Sequence, residues 1–271
     1  MTDRYAVVGN PIAHSKSPLI HTAFAEQTRQ DLQYEAILAS LDGFEATVND
    51  FFRQGGKGMN VTVPFKLEAY QLATQLTERA DIAQAVNTLK FENNGILGDN
   101  TDGAGLVRDI TVNLNVTVTG KRILLMGAGG AARGVILPLL QQKPAILAIT
   151  NRTPQKALDL KNQFTQYGLI AGGDYNQFSG QSFDIIINAT SASLNNALPE
   201  LPSGIFAAGA LAYDMMYSAD PTRFLKYASQ QGAKHLADGI GMLVEQAAES
   251  FYLWRGIRPE TKDIITHMKS N

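Results

Sequence analysis

Residues 122–134, RILLMGAGGAARG, set a short apolar run directly before a glycine turn. An apolar run of this length, bounded by a turn, reads as a buried strand of a parallel sheet. The turn Gly127-Ala128-Gly129-Gly130-Ala131-Ala132 fits G-x-G-x-x-G/A and opens a helical stretch. Glycine there lets the chain turn tightly and lets a pyrophosphate come close to the backbone. The helix behind it offers unpaired N–H groups and the positive end of its dipole. Taken alone, the motif is weak evidence and also reads as a plain strand–helix turn.

The next strand carries more information. Ile146–Thr150 ends in Asn151-Arg152-Thr153, and no acidic residue lies between Asp109 and Asp159. A site for NAD places Asp or Glu about 20 residues beyond the glycine turn to hold the ribose hydroxyls. Arg152 instead offers a planar fork to a ribose 2′-phosphate, so NADP(H) is the expected cofactor. Thr153 also reads as an N-cap ahead of Pro154. The two readings are compatible, because a helix N-terminus is itself an anion site.

Working outward, Asp184–Ala189 and Ala210–Met215 continue a strand–helix alternation that reads as a doubly wound unit. Toward the N-terminus, strands are expected at Tyr5–Gly9, Leu32–Leu38 and Met59–Val63, with helices near Pro18–Thr28 and Phe44–Arg53. This βαβαβ order implies a mostly parallel sheet. Asn94-Gly95, between Thr88–Glu92 and Gly95–Asp99, predicts a hairpin and one antiparallel edge. Ile240–Trp254 is helical, with Ile240, Leu243, Val244, Ala247, Ala248 and Phe251 on one buried face and Gln246 off it, one turn from Met242, where it is placed to face a cleft or, by default, solvent. The expected fold class is α/β with two domains. Residues 1–103, completed by 239–271, form a mostly parallel α/β substrate domain, and residues 104–238 form a Rossmann-like NADP domain.

With 271 residues, the chain is long enough to bury a core without staples. Its net charge of −2 gives no basic excess for nucleic acid. The absence of cysteine excludes thiol catalysis and disulfides. His14, His21, His235 and His267 lack zinc-ligand spacing, so no metal is expected. The start MTDRYAVVGN lacks an export pattern, and the apolar stretch 123–140 is interrupted by glycines, Arg133 and Pro138. A cytoplasmic protein without a membrane partner is expected, and its four N-x-T triplets read as turns or polar chemistry.

Three polar clusters follow expected strands, where ligands of open α/β sheets sit. The first, residues 9–18, GNPIAHSKSP, pairs Ser17 as N-cap with Pro18 at the first helical position. The second, Asn60-Val-Thr62, puts two polar side chains on one side of a strand, ahead of a Pro-Phe turn and Lys66. The third joins Asn87-Thr88 to the run Gly98-Asp99-Asn100-Thr101-Asp102-Gly103. Each also reads blandly, as a helix start, a solvated lysine or an Asn/Asp/Gly loop.

Together these runs resemble the shikimate dehydrogenase family. The matching segments are GNPIAHSKSP, GMNVTVPFK, AVNTL, GDNTDG, GAGGAARG, ITNRT, IINATS, YDMMY and DGIGMLVEQAAESFYLW, in family order from residue 9 to residue 254. The resemblance implies NADPH-dependent, reversible reduction of 3-dehydroshikimate to shikimate in aromatic amino acid biosynthesis, by a monomer or homodimer. It implies that Lys66 and Asp102 are the catalytic pair and that Ser15 and Ser17 hold the substrate carboxylate. Thr62, Asn87, Tyr217 and Gln246 match substrate contacts, with Asn60 a neighbour. Gly127, Ala128, Gly129, Gly130 and Ala131 match the pyrophosphate loop. Asn151, Arg152, Thr153 and Lys156 match the adenosine-phosphate segment. Met215 and Gly239 match positions beside the nicotinamide, and Glu78 matches a further cofactor contact. Glu245 departs from a position that is often small or neutral and is a possible disturbance of the pocket's charge. Alternatives are a quinate/shikimate dehydrogenase and a non-catalytic ligand sensor.

Overall fold

The computed structural model describes residues 2–190 and 201–270. Two compact units divide the chain, residues 1–106 with 243–270 and residues 107–242. The divisions fall a few residues beyond the bounds expected from the sequence, 103/104 and 238/239, because each lies within a helix that runs on through it.

The first unit contains β1 (Asp3–Gly9), α1 (Ser17–Thr28), β2 (Leu32–Leu38), α2 (Phe44–Arg53), β3 (Gly56–Val61), α3 (Lys66–Leu72), β4 (Gln75–Leu76), α4 (Glu78–Ala83), β5 (Thr88–Glu92), β6 (Gly95–Asp99) and the start of α5 (Asp102–Arg108). Its six described strands lie in the order β2-β1-β3-β5-β6-β4. β5 is antiparallel to both β3 and β6, while the other pairings are parallel. The hairpin therefore sits inside the sheet and not at its edge as expected, because the two-residue β4 pairs on beyond β6. A core of Val8, Phe44, Val48, Phe51, Met59, Phe65 and Leu89 packs in this unit.

Two local expectations shift. β3 begins earlier and ends at Val61, not Val63: Pro64 has no N–H to give a ladder, and Phe65 N–H bonds back to Thr62 carbonyl at 3.1 Å to close a turn. In α1, Lys16 is the N-cap, Ser17 is the first helical residue and Pro18 follows it. Lys16 accepts this position because Pro is also tolerated one residue further into the first turn, where its missing N–H is still unneeded.

The second unit contains β7 (Arg122–Met126), α6 (Gly130–Gln141), β8 (Ile146–Thr150), α7 (Pro154–Phe164), β9 (Ile170–Gly173), β10 (Phe183–Asn188), β11 (Phe206–Asp214), α8 (Arg223–Gln230) and β12 (His235–Ala237). The described strands are all parallel in the order β12-β11-β10-β7-β8-β9. In chain order this is the doubly wound 3-2-1-4-5-6 arrangement, with its switch point between β7 and β10. α9 (Ile240–Arg255) then leads back into the first unit, which α10 (Lys262–Ser270) completes. No helix among the described residues is long and apolar enough to cross a membrane.

Candidate active site

Lys66 opens α3 after the Thr62–Phe65 turn, and Asp102 opens α5 after β6. Lys66 Nζ donates to Asp102 Oδ2, with side-chain exposures of only 14% and 6%. The second carboxylate oxygen, Oδ1, accepts from Asn87 Nδ2 at 2.8 Å. The Asn87 amide has a defined orientation. Thr101 backbone N–H can only donate, and it points at Asn87 Oδ1 from 2.8 Å, so the amino side faces Asp102.

Gln246 joins the same cluster and does not turn to solvent. It is 9% exposed, and its Oε1 accepts from Asn87 Nδ2 at 3.2 Å. Its Nε2 donates to Leu243 carbonyl at 2.8 Å, which fixes that amide too. Burial of α9 on most of its surface overrides the single apolar face expected from periodicity, with Glu245, Gln246 and Ser250 all buried.

Asn60 is buried and engaged by the protein. Its Oδ1 accepts from Tyr34 hydroxyl at 2.7 Å, and its Nδ2 donates to Asn87 carbonyl, Thr88 Oγ1 and Ser250 Oγ at 3.3, 3.1 and 2.9 Å. At the start of α1, Ser15 Oγ accepts from Ser17 N–H at 3.3 Å. Hydrogen bonds thus run from Tyr34 through Asn60 and Asn87 to Asp102 and Lys66. Thr62 is half-buried just beyond β3. Glu78 is exposed at the start of α4 in this unit, whereas Tyr217, Met215 and Gly239 belong to the other.

Asp99 anchors the loop that carries Asp102. Its Oδ1 accepts from Arg79 Nε, Thr77 Oγ1 and Asn100 N–H at 2.6, 2.6 and 2.7 Å. Burial pushes its carboxyl upward, but these bonds, Arg79 above all, hold it below the ordinary value. Glu245 is buried facing Thr261, whose hydroxyl donates to it at 2.7 Å, and Arg258 at 3.7 Å. His21 stacks on Tyr34 with ring centroids 4.1 Å apart, and neither ring nitrogen has a hydrogen-bond partner. Burial pushes its pKa down to about 3, with Asn60 a smaller opposing influence.

In the second unit the chemistry lies at the carboxyl ends of the strands. Gly127 has φ +111°, and a Cβ there would stand 3.0 Å from Ala189 carbonyl oxygen. Gly129 is the N-cap of α6, makes no side-chain cap, and would have no neighbour within 4 Å of a Cβ. The first turn of α6, with Gly130 and Ala131, therefore keeps N–H donors beside open space, which fits a pyrophosphate. Asn151 Nδ2 braces Thr153 carbonyl at 3.0 Å. Thr153 is the N-cap of α7 but makes no side-chain cap bond. Arg152 and Lys156 are exposed and form no ion pair among the described residues, which fits an additional phosphate. Met215 and Gly239 are brought together: a Cβ on Gly239 would lie 2.2 Å from Met215 carbonyl oxygen. Ser191, which ends the IINATS segment, lies outside the described residues.

Reading the sequence missed Tyr34, Arg79 and Ser250, and it placed Thr88 and Asp99 in a polar cluster without their bracing roles. Of these, Ser250 leaves a usable trace, since it lies four residues beyond Gln246 on one helix face.

A glycine turn opening a helix at a parallel sheet, in one unit, and a lysine–carboxylate pair braced by side chains, in the other, suit a two-domain, nicotinamide-nucleotide-linked oxidoreductase. The chain belongs to the shikimate dehydrogenase family. Residues 7–89 match the shikimate dehydrogenase substrate binding domain, 110–198 the shikimate/quinate 5-dehydrogenase domain and 239–269 the shikimate 5′-dehydrogenase C-terminal domain. The chain is 64% identical to a shikimate dehydrogenase (NADP(+)) of Nitrosomonas eutropha, over 98% of this chain and 97% of that one. An Ael1 enzyme from Pseudomonas putida has a similar crystal structure, with TM-score 0.92 and 53% identity over 98% of both chains. Shikimate 5-dehydrogenase of Thermus thermophilus in complex with NADP(H) and shikimate superposes with TM-score 0.87 at 28% identity, covering 99% of each chain.

Proposed function

We propose that this chain catalyses the reversible, NADP(H)-linked reduction of 3-dehydroshikimate to shikimate, a step of aromatic amino acid biosynthesis. The observation that carries the reading is the buried Lys66–Asp102 pair, whose second carboxylate oxygen is occupied by Asn87. NADPH, when bound, supplies the hydride. Lys66 Nζ stabilises the negative charge that grows on the substrate's ring oxygen and delivers the proton to it; in the oxidative direction it removes that proton. Asp102 holds Lys66 in place through Oδ2. Ser15 and Ser17 bind the substrate carboxylate at the start of α1. Thr62, Asn87, Tyr217 and Gln246 contact the substrate, the second N–H of Gln246 Nε2 being its donor. Asn60 braces this set from behind.

Gly127 to Ala131 bind the pyrophosphate, and Arg152 with Asn151, Thr153 and Lys156 binds the 2′-phosphate. Met215 and Gly239 flank the nicotinamide, with Glu78 a further contact. The near-neutral charge supports a small-molecule enzyme without a nucleic-acid partner. We place it in the cytoplasm, as a monomer or homodimer.

The test is NADPH formation by the purified protein from NADP+ and shikimate, with quinate and NAD+ as separate arms. Rapid turnover of shikimate with NADP+ and little with either replacement is expected. Absence of NADPH formation overturns the reading.

A further inference from the structure

Two fully buried hydroxyls stand at the centre of the first unit's hydrogen-bond network and have no role in the reaction described above. Thr88 opens β5, Ser250 lies in α9, and both are 0% exposed. Their oxygens are 2.8 Å apart. Asn60 Nδ2 donates to both, at 3.1 and 2.9 Å. Thr88 Oγ1 lies 2.8 Å from Asn87 Oδ1, and Ser250 Oγ lies 3.0 Å from the carbonyl of Gln246.

The donors give this network a direction. The backbone carbonyl of Asn87 can only accept, and Asn60 Nδ2 lies 3.3 Å from it, so the amino side of Asn60 faces that carbonyl and the two hydroxyls, and its Oδ1 accepts from Tyr34 hydroxyl. A hydroxyl has one proton to give. Thr88, already accepting from Asn60, passes its proton on to Asn87 Oδ1, while Ser250 shares its proton between Thr88 and Gln246 carbonyl. Asn87 then turns its own N–H groups to Asp102 Oδ1 and Gln246 Oε1. A reversed Asn87 amide would set its oxygen against a carboxylate oxygen with no proton between them, which is costly where water cannot intervene.

The geometry points to Thr88 and Ser250 as positioning residues for the reaction: a hydroxyl pair that, together with Thr101 N–H on the same Asn87 oxygen, holds Asn87 in the orientation that caps Asp102 Oδ1 and leaves Oδ2 to Lys66. This rests on the function proposed above for the same site. Neither hydroxyl touches the reacting atoms; both act through Asn87.

The test compares Thr88→Val, which removes the hydroxyl and keeps the shape, with Thr88→Ser, which keeps the hydroxyl. In Thr88→Val, kcat falls about tenfold while KM for shikimate moves less than about threefold. Thr88→Ser recovers most of the loss. Ser250→Ala falls in the same direction, and the double variant Thr88→Val/Ser250→Ala loses less than the product of the two single losses, because the pair works as a unit. A second measurement needs no substrate. In isotope-labelled protein, the side-chain amide protons of Asn87 are protected from solvent exchange in the parent and in Thr88→Ser, and lose protection in Thr88→Val and Ser250→Ala. Unchanged kcat together with a protected Asn87 amide in Thr88→Val overturns the proposal, as does an equal loss in the Val and Ser variants. If Thr88→Val does not fold, Ser250→Ala with the amide measurement decides the matter. If the parent protein does not oxidise shikimate, the proposed function fails, and amide protection alone still decides the role of the pair.

Discussion

The two units build their sites from different material. In the doubly wound unit, consecutive residues 127–131 present backbone N–H groups, and what matters about the side chains is mainly that they are small. In the mixed unit, the Lys66–Asp102 pair is held by side chains gathered from Tyr34 to Ser250, each engaged by the next. A backbone site tolerates sequence change wherever no Cβ intrudes. A side-chain network loses function when a single polar atom is removed.

The sharpest test of that difference is Lys66→Ala, for which kcat falls about a thousandfold with shikimate affinity within about threefold. Steady-state kinetics in both directions measures it, and near-normal turnover would remove Lys66 from the proton-transfer role. In the other unit, Arg152→Ala lowers the preference for NADP+ over NAD+ by about 10- to 100-fold, the worth of a charge-assisted bond to phosphate, and leaves KM for shikimate unchanged. Cofactor titrations of parent and variant check it. A shift in shikimate KM of similar size would break the separation between the units.

Stability also tests the comparison. His21 is neutral when folded, because burial takes its pKa from 6.5 to about 3. Between those values the unfolded chain binds more protons at this position, so unfolding free energy falls as pH drops, by up to about 1.4 kcal/mol per pH unit. Asp99, whose folded pKa is depressed, adds a further loss as pH falls through its folded value. Denaturant titrations across this range should show a smaller slope in His21→Phe than in the parent, and an unchanged slope would mean that His21 is not buried as a neutral ring. The smallest expected effect is that of Glu245→Gln, which weakens the contact with Arg258 and Thr261. It lowers Tm by about 2–4 °C and leaves kcat within about twofold. A marked change in kcat would show that this carboxylate acts on the substrate site.

Strand legibility followed length and side-chain content. Leu32–Leu38, Thr88–Glu92, Gly95–Asp99 and Ile146–Thr150 are bounded in the structure as their apolar patterns and turn signals predict. β4 has two residues, β9 reads Ile-Ala-Gly-Gly and β12 reads His-Leu-Ala, and none carries a run long enough to register as a strand. The glycine turn was legible because its residues are contiguous and their spacing is itself the chemistry. The Lys66–Asp102 pair was not readable from spacing, because 36 residues separate the partners, and resemblance alone put them together. Thr88 was legible only as part of the Asn87-Thr88 cluster and Ser250 only through its spacing from Gln246; that the two pair with each other emerges once Asn60 and Asn87 are seen between them.

The reversed direction of β5 carries a consequence for how this chain can be altered. Because β5 and β6 form a hairpin, Asn87 and Thr88 at its entrance and Asp99 to Asp102 at its exit meet at one end, and the exposed tip Asn93-Asn94 lies at the other. The segments that carry Asn87 and Asp102 are therefore anchored by the same end of the ladder. New termini or an inserted peptide placed at the tip lie at the far end of the hairpin from the polar contacts of Asn87, Thr88 and Asp102, which makes that turn a natural point at which to open, label or lengthen the polypeptide.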